Sequence, residues 1–210
     1  MQNKTDALLE IQNLSVSFLM YDHGLEQRQL QVISDLHLSL YPGEIVAIAG
    51  SSGSGKSLLA SAILGILPDN AQLEGQLRYR GQSLTPEKQK TLRGSHIALV
   101  PQSVSYLDPL MKLGPQVDGP GRPKPTEKRK KLFSRFGLPA QTEKLYPFQL
   151  SGGMARRVLV STALISDADV IIADEPTPGM SLDQALEALK MFRERSEEHT
   201  SELQSPDLIS

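Results

Sequence analysis

The run Gly50-Ser51-Ser52-Gly53-Ser54-Gly55-Lys56-Ser57 packs three glycines, a lysine and a closing hydroxyl into eight residues. Glycines let a backbone curl until successive N–H groups converge, and converging N–H groups attract phosphate oxygens. An apolar run, Glu44–Ala49, precedes the loop, and a segment with helical apolar spacing, Ser57 to Leu67, follows it. Strand, glycine loop and helix in that order distinguish a phosphate loop from a chance Gly/Ser turn. The helix start adds the positive end of its dipole, worth ~0.3–1 kcal/mol toward an anion. Lys56 is then expected to reach β- and γ-phosphates, and the Ser57 hydroxyl to be a ligand of Mg²⁺. The chemistry expected of these residues is the binding of Mg-ATP.

A second group of chemical residues lies at Val170-Ile171-Ile172-Ala173-Asp174-Glu175. An apolar strand that ends in two acids sets carboxylates at its C-terminal edge, where open α/β sheets bind ligands. By itself such a pair is more often a solvated strand end. Downstream of a phosphate loop, Asp174 suits the Mg²⁺ shell, through water, and Glu175 suits orienting an attacking water.

The surrounding pattern supplies elements to hold these groups. Leu8 to Phe18 alternates as a strand with one slip between Ile11 and Leu14, Asp22 to Arg28 reads as a hairpin loop, and Val32 to Leu40 alternates again. Pro42-Gly43 makes a turn, and the continuous apolar run Glu44–Ala49 reads as a strand buried on both faces. A short strand at Leu77–Tyr79, a helix at Pro86–Leu92 and buried strands at Ile97–Val100 and Val170–Ala173 follow. Gly114 to Pro125 is rich in breakers and reads as a loop. Thr126 to Phe136 reads as a basic helix with a solvated charged face, and Met154–Ile165 and Leu182–Arg193 as further helices. Buried strands that alternate with helices predict a mostly parallel α/β sheet.

Composition narrows the setting. A chain of 210 residues with 39% hydrophobic content can build one core with an inserted subdomain. A net charge of −2 makes no electrostatic case for nucleic acid, and no Cys means no disulfide or thiolate metal site. The apolar runs are too short to span a bilayer and the N-terminus lacks a signal-peptide layout, so membrane association is expected only through a partner.

Leu150-Ser151-Gly152-Gly153, followed by Met154 and a helix, resembles the LSGG signature of ABC (ATP-binding cassette) ATPases. Gln102, after the strand Ile97–Val100, is similar to the family's Q-loop glutamine, which the resemblance places at Mg²⁺ and facing the membrane partner. Phe18, with Tyr21 as the alternative, is similar to the aromatic that stacks on adenine. Asp183 is assigned to the D-loop aspartate, although the stretch from Pro176 to Ser181 is longer than usual. The resemblance implies that in a dimer of the family type Ser151, Gly152 and Gly153 would bind the γ-phosphate held by the opposite phosphate loop.

The resemblance implies a P-loop NTPase (RecA-like) α/β core with an N-terminal antiparallel β subdomain and an inserted helical signature subdomain near residues 103–165. Pro101-Gln102 followed by Leu107-Asp108-Pro109, with Tyr146-Pro147 and Met154, is similar to the dipeptide, oligopeptide and nickel importers. That subfamily implies a second ATPase subunit, transmembrane permease subunits, an extracytoplasmic binding protein acting indirectly, and a place on the cytoplasmic face of the membrane. Peptide and nickel both stay open as cargo. A soluble ABC ATPase of translation or repair is the alternative, disfavoured because neither a second cassette nor a long coiled-coil insertion is present; a nonfunctional truncated fragment is another.

The cassette is expected to occupy residues 1–194 and to lack its C-terminal strands and switch histidine. Arg195 to Ser205 resembles the translation of a common short-read sequencing adapter, with Pro206-Asp207-Leu208 in the index and Ile209-Ser210 in the constant bases after it. Residues 195–210 are therefore expected to be a non-native tail, and His199 inside it is not assigned as the switch. Genomic DNA sequenced across this locus should depart from the present sequence at Arg195; native codons for Arg195 onward would overturn the reading.

Overall fold

Leu9, Ile11, Leu14 and Val16 are all buried, which a side-chain period of two allows only if the strand slips once between Ile11 and Leu14. A bulge supplies the slip, with Asn13 in the left-handed region at φ 52°, where a short polar side chain is tolerated. The computed structural model describes residues 7–21, 27–119 and 127–204, the side chains of Tyr21, Gln27 and residues 198–204 excepted. Two compact units divide the chain between Arg93 and Gly94.

In the first unit β1 (Leu9–Tyr21) pairs antiparallel with β2 (Gln27–Leu40) and with β3 (Ala71–Tyr79), and β4 (Gln82–Ser83) completes a sheet ordered β2-β1-β3-β4. This is the antiparallel subdomain that the resemblance implies. Strand β3 starts well before Leu77 because its exposed N-terminal half is held by backbone pairing with β1 rather than by apolar side chains. Of the hairpin loop, residues 22–26 lie outside the described residues, and Gln27 and Arg28 already belong to β2.

Helix α1 (Lys56–Leu64) stops short of the expected Leu67. Gly65 turns into the left-handed region at φ 65°, and the N–H groups of Gly65 and Ile66 return to the carbonyls of Ala62 and Ser61. Buried Gln89, from α2 (Pro86–Leu92), donates to the carbonyls of Ala62 and Ile63 at 2.8 and 3.0 Å. The end of α1 is thus sealed by a side chain from another helix.

Glu44–Ala49 departs from expectation. It forms no strand, and Ile45, Val46 and Ile48 are 59%, 37% and 48% exposed. A strand buried on both faces needs hydrogen-bonded neighbours and a covering layer, and among the described residues no strand pairs with this run. Its apolar composition shows that it can be buried but does not say what covers it.

The second unit is built on β5 (Ile97–Val100) and β6 (Val170–Ala173), a parallel pair in the register Ile97↔Val170 to Val100↔Ala173. β6 is only partly buried, because among the described residues β5 is its one neighbour. Helices α3 (Leu113–Asp118), α4 (Glu127–Arg135), α5 (Gly152–Ile165) and α6 (Leu182–Gln204) join a core that includes Val117, Phe133, Phe136, Val158 and Met191.

Three expectations change in this unit. The breaker-rich stretch begins with a helix: Pro115 sits in the first turn of α3, where its missing N–H costs nothing, and Leu113 and Val117 bury one face. Residues 120–126 lie outside the described residues. On α4, Lys128, Lys130 and Lys131 are solvated as expected, but Arg129 is buried and pairs with Asp118 and, at 2.6 Å, with Glu143. A buried guanidinium survives because two carboxylates meet it. Helix α6 runs past Arg193 and Glu194 to Gln204, and the Arg195 guanidinium donates to the Ser166 carbonyl at 2.7 Å. Among the described residues no helix is long and apolar enough to cross a membrane.

Gly65→Ala should destabilise the chain by at least about 1–2 kcal/mol, the usual cost of a left-handed L-residue. A Cβ there would also fall 2.3 Å from Gln89 Oε1. Denaturant unfolding of the two proteins side by side measures the difference.

Candidate active site

The phosphate loop is shaped by what its glycines permit. Gly55 caps α1 at φ 90°, a conformation that disfavours side chains, and a Cβ on Gly50 would fall 2.5 Å from Ser54 Oγ. Ser54 N–H closes a turn on the Ser51 carbonyl at 3.2 Å, with Ser52 and Gly53 at its tip. No side chain caps α1. The first N–H groups of the helix therefore remain available to an anion, and the dipole favours one.

Lys56 completes the loop. Its ammonium donates to the carbonyls of Gly50 and Ser51 at 2.8 and 2.9 Å. An ammonium has three N–H groups, so two fix it over the loop and one remains for a phosphate oxygen. Ser57 stands one residue further along the helix with its side chain exposed, fit for a hard cation such as Mg²⁺ that takes few protein ligands and several phosphate or water oxygens. The glycine geometry and donor set thus suit a nucleotide phosphate with its Mg²⁺. Phe18 lies half-buried on β1, opposite Leu30 and Ala71; the side chain of its alternative, Tyr21, is outside the described residues.

In the second unit the parallel register does the positioning. β5 and β6 end at the same level, so Pro101 and Gln102 leave one strand as Asp174 and Glu175 leave its neighbour. Asp174 N–H still bonds the Val100 carbonyl at 2.9 Å, and one residue later Gln102 Nε2 donates to Glu175 Oε2 at 2.8 Å. Glu175 holds φ 47°, an uncommon conformation for a glutamate. Such backbone costs about 1–3 kcal/mol and clusters at functional sites. Here it turns an exposed carboxylate away from the strand and toward the glutamine.

The signature residues begin α5. Ser151 is its N-cap, with Oγ accepting from Met154 N–H at 3.4 Å, and Gly152 is exposed. A Cβ on Gly153 would lie 2.7 Å from the Gly179 carbonyl, so the loop that follows Glu175 crosses the first turn of the signature helix. Asp183 is exposed in the first turn of α6, where Ser181 and Gln184 exchange capping hydrogen bonds at 3.4 and 3.3 Å.

Sequence reasoning missed one residue here. Arg156 is buried on α5 and donates through Nη1 to the Pro101 carbonyl at 2.8 Å and through Nη2 to that of Gln102. Burial pushes its pKa below the ordinary arginine value, against the opposing fields of Glu175 and Asp174. The available signal was the pair Arg156-Arg157 inside a helix whose next residues are apolar.

The family model for ABC transporters matches residues 33–178. The chain belongs to this family. Among curated ABC proteins, the dipeptide transport ATP-binding protein DppD of Bacillus subtilis (strain 168) is 32% identical over 204 residues, 90% of this chain and 59% of DppD. The oligopeptide transport ATP-binding protein OppD of Lactococcus lactis subsp. cremoris (strain SK11) is 32% identical over 205 residues, 91% of this chain and 59% of OppD. The chain thus spans about three-fifths of the length of these relatives. The dimeric post-hydrolysis structure of the ATP-binding cassette MJ0796, bound to ADP and Pi, shares the ABC fold with a TM-score of 0.75 at 24% identity, covering 90% of this chain and 83% of that one.

Lys56→Ala should weaken nucleotide binding by about 1.5–3 kcal/mol, the worth of a charge-assisted hydrogen bond, or roughly ten- to hundredfold in Kd. Equilibrium titration with a fluorescent ATP analogue checks this.

Proposed function

We propose that the chain is the ATP-binding and ATP-hydrolysing part of a subunit that powers an ABC importer for peptides or nickel. The observation that carries the hydrolytic reading is the Gln102–Glu175 hydrogen bond at the common end of two parallel strands. A carboxylate with one oxygen engaged by an amide keeps its other oxygen for a water, and that is the role proposed for Glu175. Gly50 to Gly55 cradle the phosphates, Lys56 neutralises them, and, as the resemblance to ABC ATPases implies, Ser57, Asp174 and Gln102 would be the ligands of Mg²⁺. Bound Mg²⁺ would offset charge on the phosphate oxygens during transfer. Phe18 stacks on the adenine.

Ser151, Gly152 and Gly153, with Asp183, serve a nucleotide bound to a second ATPase subunit, so one chain contributes to two composite sites. ATP binding closes that dimer and hydrolysis reopens it, which shifts attached permease subunits between access states. The permease holds the subunit at the cytoplasmic face of the membrane, and an extracytoplasmic binding protein delivers the cargo. The names of DppD and OppD favour peptides over nickel. We further propose that the natural sequence leaves this one near Glu194, within the cassette. A second reading, a nonfunctional fragment that binds nucleotide poorly because its sheet is incomplete, is favoured by the exposed apolar run Glu44–Ala49.

One set of measurements tests the proposal. Mg-ATP at a hundredfold over its Kd should stabilise the 210-residue chain by roughly 2.7 kcal/mol. The full-length parent should hydrolyse ATP, and its Glu175→Gln variant should lose at least about a hundredfold in kcat while still binding ATP. Robust turnover by the 210-residue chain would refute the incomplete cassette, and normal turnover by the variant would refute the role of Glu175.

A further inference from the structure

Arg156 is an unusual residue to find inside a helical core. It lies one turn into α5, is 6% exposed, and has Ala155, Val158 and Leu159 for buried neighbours along the helix. Buried arginines ordinarily meet a carboxylate, as Arg129 meets Asp118 and Glu143 in this same unit. Arg156 instead spends its two terminal nitrogens on consecutive backbone carbonyls, those of Pro101 and Gln102. What the fork holds is the path of the chain just past the end of β5.

That path matters because the last ladder bond between the strands ends at Val100, whose carbonyl accepts from Asp174 N–H. Beyond it Gln102 is gripped from two sides: its carbonyl by Arg156, and its side-chain amide by Glu175. We propose that Arg156 is a positioning residue for ATP hydrolysis, tying the signature helix to the backbone of Gln102 and thereby setting the Gln102 amide on Glu175. The inference rests on the reading of Glu175 given above. Ser151, Gly152 and Gly153 lie on the same helix within one turn or so of Arg156, so a shift of α5 when the signature engages the partner's nucleotide is passed directly to Gln102. The guanidinium is suited to this because a planar fork spans two acceptors in fixed geometry, which the point charge of a lysine does not.

The test uses the full-length parent with its partner ATPase and compares Arg156→Met, Arg156→Lys, Gln102→Ala and the Arg156→Met/Gln102→Ala double variant. Arg156→Met keeps the apolar stem and removes the fork. It should lower kcat about tenfold or more, leave KM for ATP within about twofold, and accelerate amide exchange in the peptide around Gln102 with the rest of α5 still protected. Arg156→Lys should recover little of the loss. In the Gln102→Ala background, Arg156→Met should cost less than about twofold, because a residue that acts through Gln102 has nothing left to act on. An equal loss in both backgrounds would mark a merely structural role, and wild-type kcat in Arg156→Met would overturn the proposal outright. Should Arg156→Met not fold, Arg156→Lys carries the same comparison. If Glu175→Gln, run in parallel, kept normal turnover, the reading of Glu175 would fall instead, and the exchange measurement would still decide whether Arg156 holds Gln102.

Discussion

The parallel pairing of β5 with β6 ends at Val100 and Ala173, and the chemistry of the second unit hangs on that shared end. Because both strands stop at one level, the residues beyond them emerge side by side. Gln102 and Glu175, 73 positions apart in the chain, become hydrogen-bonding neighbours with no further device than register. The left-handed turn at Glu175 and the Arg156 fork refine that placement. Neither would have anything to refine if the pairing register slipped by one residue, since such a slip turns every side chain of one strand to the other face.

The first unit solves a different problem, that of holding a loop open to an anion. A loop of glycines is costly to order, and Lys56 reduces that cost by binding the carbonyls of Gly50 and Ser51 with its own ammonium. The helix behind the loop is fixed at its far end by Gly65 and by the buried Gln89 amide. Both ends of α1 are thereby specified by contacts outside the helix, as suits a nine-residue helix too short to be stable alone.

Much of the site was legible because its chemistry needs particular residue types in a particular order. The glycines and Lys56 of the phosphate loop and the acids Asp174 and Glu175 after an apolar strand could each be named from spacing, whereas Gln102 was named only through the resemblance to ABC ATPases. The slip in β1 was readable as well, since a burial pattern that changes phase requires a bulge. What escaped depends on partners distant in sequence. The run Glu44–Ala49 looked like a buried strand, but burial belongs to the neighbours as much as to the run. Arg129 looked like one charge among five until Asp118 and Glu143 closed around it. Arg156 was marked only by its place beside Arg157 in a helix whose next residues are apolar, because the backbone carbonyls it binds carry no sequence signal.

The contact between Gly153 and the Gly179 carbonyl has a consequence for genetics. In a pair of unlike ATPase subunits, a signature mutation is ordinarily read as damage to the nucleotide held by the other subunit. Here any side chain at position 153 would also press on the loop that continues from Glu175, so on the proposed function a single allele would strike both the signature and the glutamate. Under the proposed pairing with a second ATPase subunit, supplying a wild-type copy of that subunit would not complement such an allele.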